Sequence, residues 1–212
     1  MPRVQGVHLG GAPAGDQAAR IQHGVGSITA HRPEIAAGIG MAMMAINTSG
    51  TLSPRLIELI RLRIAFHNQC RSCMAIRYSN AVEDGLDEDL VCSLEKPEEA
   101  DDLTDAERAA LGFADLFATN HLAIDEAVYD GLRQYFTEGE LVEIGLNCAL
   151  DVGMGRLAAT WRVTDDLPAR FREADGPVTP WGGDAVVVPA IARRGTGGDR
   201  SPVEPAGRTA AV

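Results

Sequence analysis

A helical run that ends in a pair of cysteines constrains this chain more than any other feature. Residues 52–85 read Leu52-Ser-Pro-Arg-Leu-Ile-Glu58-Leu-Ile-Arg-Leu-Arg-Ile-Ala-Phe-His67-Asn-Gln-Cys70-Arg-Ser-Cys73-Met-Ala-Ile-Arg77, continuing to Gly85. Ser53 followed by Pro54 is a helix-start signal: a hydroxyl cap, then a residue whose missing N–H costs nothing in the first turn. Apolar residues recur at helical spacing to Asn68, and a second helical pattern runs from the cysteines to Gly85. In one continuous helix, Glu58 and Cys70 would stand about 18 Å apart along the axis, at ~1.5 Å per residue. A turn at Asn68, read as the N-cap of the second helix, instead folds that helix back beside the first. Positions 58 and 77 then lie at similar distances from the turn and meet. Arg77, one turn beyond Cys73, shares its face, and Cys70 falls in the first turn, where unpaired N–H groups favour a thiolate. Glu58, Cys70, Cys73 and Arg77 are thus expected to form one site.

Residue chemistry leaves three readings of the cysteine pair. The first is a redox dithiol, in which one thiolate attacks and the other resolves. The second is half of a zinc site, although no second C-x-x-C or H-x-H supplies the remaining ligands and His67 and Cys92 have no recognised spacing. The third is a pair of small apolar core residues. Glu58 within an apolar helix is either a base with a raised pKa or the partner of Arg61, Arg55 or Arg77. His67 is the nearest imidazole, an auxiliary candidate or else a capping residue. Cys92 and Cys148 read as buried packing residues, and Arg156 as a structural or interface residue.

The stretch resembles the carboxymuconolactone decarboxylase-like superfamily, in its alkyl hydroperoxidase D branch: a Glu, eleven residues, Cys-x-x-Cys, three residues, then His. Glu58, Cys70 and Cys73 match, over a resemblance spanning about residues 31–160, but Arg77 stands where the branch has His. The resemblance implies an all-α, alkyl hydroperoxidase D-like bundle with a central helical hairpin. It also implies a thiol peroxidase or disulfide oxidoreductase acting on hydroperoxides. Its partners would be a dithiol reductant, thioredoxin-like or lipoyl-bearing, and copies of itself in a trimer or hexamer; it needs no cofactor and no metal. By resemblance Cys73 meets the peroxide and Cys70 the reductant, whereas the helix-start argument makes Cys70 the more exposed thiol. Arginine cannot relay a proton as His does, so Arg77→His is expected to restore a relay. The rival readings are a decarboxylase-like enzyme lacking redox chemistry and a non-catalytic helical oligomer with structural cysteines.

The rest of the chain frames this core. Residues 1–30 are read as a flexible or weakly helical lead, 31–175 as the helical domain and 176–212 as a Gly/Pro-rich, poorly ordered tail. An apolar content of 45% suffices for a core, and a formal charge of −11 disfavours nucleic acid and anionic membranes. No basic-then-apolar leader and no membrane-length apolar run are present, so a cytoplasmic location is expected. Met41, Met43 and Met44 read as core or subunit interface. Thr104-Asp-Ala-Glu107 and Thr137-Glu-Gly-Glu140 are capping boxes opening later helices. Gly153 and Gly155 permit either a close approach or a kink. Ala185–Val188 is the one strand-like stretch, and it is isolated.

Overall fold

The computed structural model describes residues 2–10 and 15–190. Its regular structure is mostly helical: α1 (Gln17–Thr29), α2 (Pro33–Ser49), α3 (Pro54–Asn68), α4 (Arg71–Met74), α5 (Ser79–Glu83), α6 (Glu88–Cys92), α7 (Asp105–Thr119), α8 (Glu126–Leu132), α9 (Glu138–Trp161) and α10 (Ala169–Glu173). Two short strands, β1 (Ile76–Tyr78) and β2 (Val186–Val188), pair in parallel. Among the described residues no helix is long and apolar enough to cross a membrane.

The middle of the fold is α3. Ser53 caps it by accepting from the Leu56 amide at 3.1 Å, with Pro54 at the first helical position. Leu59, Ile60, Leu62 and Ile64 are all fully buried, because α7 and α9 cover one side and α5, α6 and the cysteine segment the other. Its charged side chains emerge between these layers and are paired there: Arg55 with Glu107 at 2.7 Å and Arg63 with Asp115 at 2.6 Å. Both capping boxes form, at Thr104–Glu107 and Thr137–Glu140. Each such cap contributes about 0.5–2 kcal/mol.

The second arm of the hairpin is not the expected single helix. Gln69, not Asn68, makes the turn, with φ +50°, and Cys70 is the N-cap of α4. A non-glycine residue costs roughly 1–2 kcal/mol in that region. The Gln69 amide offsets this by accepting from Val178 N at 2.9 Å and donating to Phe66 O at 2.7 Å. After one turn the chain extends into β1, drawn out by pairing with β2, and only then resumes helix as α5. β2 is the stretch that looked isolated in the sequence.

Residues 176–190, expected to begin a poorly ordered tail, pack on the domain. Arginines from elsewhere satisfy their backbone: Pro180 O accepts from Arg77 at 2.7 Å and Trp181 O from Arg170 at 2.6 Å. Trp181 also packs on Phe66, ring centroids 4.9 Å apart, and Val178 and Val188 are buried. The remainder of the expected tail, 191–212, lies outside the described residues. At the other end, Arg3 N donates to Trp161 O at 2.8 Å and Val7 N to Ser27 O at 3.0 Å, laying the lead along α1 and α9.

Candidate functional site

Cys70 and Cys73 form a disulfide, with Cα atoms 5.2 Å apart. Their environments differ. Cys70 is completely buried, and its Sγ lies 3.3 Å from the donating Cys73 amide and 3.6 Å from Ser72 Oγ. Cys73 is half-buried and lines a cavity of about 370 Å³. The expectation that Cys70 is the more exposed thiol is therefore corrected: an N-cap residue points into its own first turn, and here that turn is inside the protein. The cavity walls are chiefly apolar, with Ile21, Ile39, Met43, Leu150 and Met154 from α1, α2 and α9. Its polar end is Arg61, Ser72, Cys73, Tyr78 and Asp151.

Glu58 is 2% exposed and is held by three donors. Arg61, one turn along α3, grips it with Nε to Oε2 and Nη2 to Oε1, both at 2.7 Å, and Tyr78 N donates to Oε1 at 3.1 Å. The same guanidinium donates to Cys73 O at 2.6 Å and Ile76 O at 3.0 Å, and it lies 5.2 Å from the Tyr78 ring centroid. Burial alone would lower the Arg61 pKa, but the Glu58 carboxylate overrides it and holds the guanidinium well above its ordinary value. Glu58 thus reaches the dithiol through Arg61. Of the three arginine partners weighed from sequence, Arg61 is the one realised.

Arg77 does not join the site. It is 2% exposed and turned to the opposite side of β1, where Nε donates to Glu88 Oε1 at 3.0 Å, Nη1 to Met74 O at 2.8 Å and Nη2 to Pro180 O at 2.7 Å. A helix would have put residue 77 on the Cys73 face; a strand alternates sides, so Tyr78 takes that place. The position meeting Glu58 is 78 and not 77, one residue off the expected register. Arg77→His accordingly offers no route to a relay. His67 is also elsewhere: its Nε2 is 2.6 Å from Asp115 Oδ1 on α7, beside Arg63. Cys148 is buried as expected, and burial pushes its thiol far up, whereas Cys92 is exposed on α6. Among the described residues no three His, Cys, Asp or Glu side chains are grouped so as to hold a metal ion.

Three residues of the polar end went unmarked in the sequence: Ser72, Tyr78 and Asp151. Tyr78, on β1, is buried enough to raise its phenol above the usual value. Asp151 carried the same signal as Glu58, a lone acid between Leu150 and Val152 in an apolar stretch of helix. Its turn of α9 is locked to the hairpin by Asn68, which donates to Asp151 O at 2.9 Å and accepts from Arg156 Nε at 3.1 Å. Gly155 makes room for this contact, since a Cβ there would stand 2.5 Å from Asn68 Nδ2. The glycine therefore serves close approach.

Residues 33–116 match the carboxymuconolactone decarboxylase family. Uncharacterized proteins from two strains of Mycobacterium tuberculosis are 32% identical over 117 residues, 54% of this chain; the chain spans only 40% of their length. Among solved structures, one from Agrobacterium tumefaciens is of unknown function and named as a candidate antioxidant defence protein, AhpD. It superposes with TM-score 0.55 and 25% identity, over 63% of this chain and 92% of its own. An uncharacterized peroxidase-related protein with an alkylhydroperoxidase AhpD core, from Ralstonia eutropha, gives TM-score 0.60 at 22% identity. That match covers 76% of this chain and 95% of the other, and shows the shared fold.

Proposed function

Starting from a chain whose residues 33–116 match the carboxymuconolactone decarboxylase family, we propose that it is a thiol-dependent peroxidase or disulfide oxidoreductase reducing hydroperoxides through Cys70 and Cys73. The observation that carries this reading is the asymmetry of the pair: Cys73 faces a largely apolar cavity, and Cys70 is sealed behind it within bonding distance. The Cys73 thiolate attacks the terminal oxygen of a hydroperoxide; the S–O bond forms, the O–O bond breaks, and the leaving oxygen takes a proton to become an alcohol. Cys70 then displaces the hydroxyl of the sulfenic acid, which departs with the thiol proton as water, and the disulfide closes. An external dithiol protein, thioredoxin-like or lipoyl-bearing, returns the pair to thiols. Glu58 and Arg61 are positioning residues in this scheme, fixing the Cys73 and Ile76 carbonyls.

The reading includes a homo-oligomer. None of the residues of α2 is buried, and Ile35, Met41 and Met44 are 52%, 66% and 53% exposed, alongside Val142 and Leu146 of α9. So large an apolar face fits burial against another copy of the chain.

The test is a thiol titration of the reduced protein before and after one equivalent of cumene hydroperoxide. Two thiols of the four per chain should disappear, leaving Cys92 and Cys148, and neither Cys70→Ser nor Cys73→Ser should turn over. Unchanged thiols would instead favour a decarboxylase-like or scaffold role.

A further inference from the structure

The proposed reaction needs a proton acceptor for Cys73 and a donor for the leaving oxygen, and Arg77 can supply neither from the far side of β1. Arg61 gives four of its N–H groups to Glu58 and two carbonyls, and a guanidinium does not release its proton at accessible pH. Tyr78 has its phenol raised further from neutrality by burial. Ser72 does not titrate, and α1 and α2 contribute Gln22 and Thr29 but no ionisable side chain. Glu58 lines a smaller adjoining cavity shared with Arg61, Tyr78, Asn147 and Asp151, and its own oxygens are occupied. Cys148, on the same helix, is held protonated by burial.

Asp151 remains. Resting on the peroxidase reading above, we propose that the Asp151 carboxyl is the proton-transfer partner of Cys73. It lines both cavities, and among the described residues nothing hydrogen-bonds its carboxylate directly. Its helical turn is pinned to the dithiol hairpin through Asn68, so its place relative to Cys73 is fixed by the fold. Burial pushes the carboxyl up to about 7; the Arg61 charge pulls it down, and Glu58 adds to the rise. A group titrating there exchanges a proton in both directions at neutral pH. Ionised Asp151 accepts the Cys73 thiol proton across the cavity through water. After S–O bond formation it returns that proton to the leaving oxygen, and is again ionised when the disulfide closes.

The experiment follows two rates on the reduced protein from pH 5.5 to 9: single-turnover oxidation by cumene hydroperoxide, and iodoacetamide alkylation of Cys73 read by peptide mass spectrometry. Both should inflect near pH 7. Asp151→Asn should lose the inflection in both and slow peroxide oxidation at pH 7 by about 10²-fold, while Asp151→Glu should keep an inflection. Oxidation by Asp151→Asn within about threefold of the parent, with the profile unchanged, overturns the proposal. If the parent itself does not react with hydroperoxide, the peroxidase reading fails separately, and the alkylation profiles still decide whether Asp151 exchanges the Cys73 proton. Should Asp151→Asn not fold, infrared spectra of the parent carrying ¹³C-labelled aspartate decide. A protonated carboxyl band that persists above pH 6 supports the assignment, and loss of all such bands by pH 5 refutes it.

Discussion

The two sides of β1 carry the same apparatus put to different ends. On one side Arg61 joins Glu58 to the Cys73 and Ile76 carbonyls; on the other Arg77 joins Glu88 to the Met74, Ile76 and Pro180 carbonyls. Both guanidiniums donate to the same atom, Ile76 O, at 3.0 and 2.9 Å. The difference lies in the carboxylates and in what surrounds them. Glu58 is 2% exposed and lines a cavity that Arg61 shares, whereas Glu88 is 42% exposed. One arginine borders a cavity that Cys73 also lines; the other ties residue 180 down. Charge type at a motif position therefore says little until the backbone decides which side that position faces.

The largest effect that could break this comparison is expected at Arg61. Arg61→Met leaves Glu58 buried without its ionic partner, and removal of one member of such a pair costs about 3–5 kcal/mol. Urea unfolding should show that loss, and Glu58→Leu/Arg61→Met should recover a large part of it. Equal instability of the single and double variants would mean that the carboxylate was not the source of the cost.

Next comes the mirror-image test. Arg77→Met strands an exposed carboxylate that water can solvate, so a smaller loss of about 1–3 kcal/mol is expected. Its effect should be confined to stability. Arg77→His should not increase peroxide turnover, and neither variant should move the pH profile of Cys73 alkylation; a shifted profile would return position 77 to the site.

Smaller still are the pH effects, of opposite sign for two acids. Burial would raise Asp115, but hydrogen bonds from His67 and Arg63 outweigh it and hold the carboxyl below its ordinary value. Its contribution is present above the unfolded-state pKa and is lost as pH falls through the folded one. Asp115→Asn should thus lower the melting temperature at pH 7 and converge with the parent in acid. Asp151 is raised, so its folded state is favoured below the unfolded-state pKa and penalised as pH rises through about 7. Asp151→Asn should melt a few degrees higher than the parent at pH 8, even though it is expected to be catalytically impaired. The smallest effect concerns the two remaining thiols: iodoacetamide should label exposed Cys92 in the native protein and leave Cys148 unmodified until denaturant is added.

Much of this was legible in advance, for identifiable reasons. The start of α3, both capping boxes and the apolar spacing are local signals, and the elements they announce formed at those places. Cys70, Cys73 and Glu58 were marked because their residue types are informative in an apolar helix. The misplaced residues share a non-local cause. Arg77 faces the other way because β2, from a distant part of the chain, pulls residues 76–78 out of helix, and no local periodicity encodes that pairing. Tyr78 became part of the site through the same displacement. Asp151 was readable in principle, as an acid where the pattern asks for an apolar residue, but nothing in the sequence announced that α9 lies beside the dithiol.

The bond from Arg77 to Pro180 O joins residues 103 apart in sequence, which bears on the order of events as the polypeptide is made. The cysteines, Glu58 and Arg61 leave the ribosome well before residues 180–188 exist. Contacts between such distant segments must first overcome the entropy of closing the intervening loop, and so they form slowly. During that interval the Arg77 guanidinium lacks one of its carbonyl acceptors and β1 has no neighbouring strand. A nascent chain halted before residue 180 would carry both cysteines with the backbone around them still free to continue as helix.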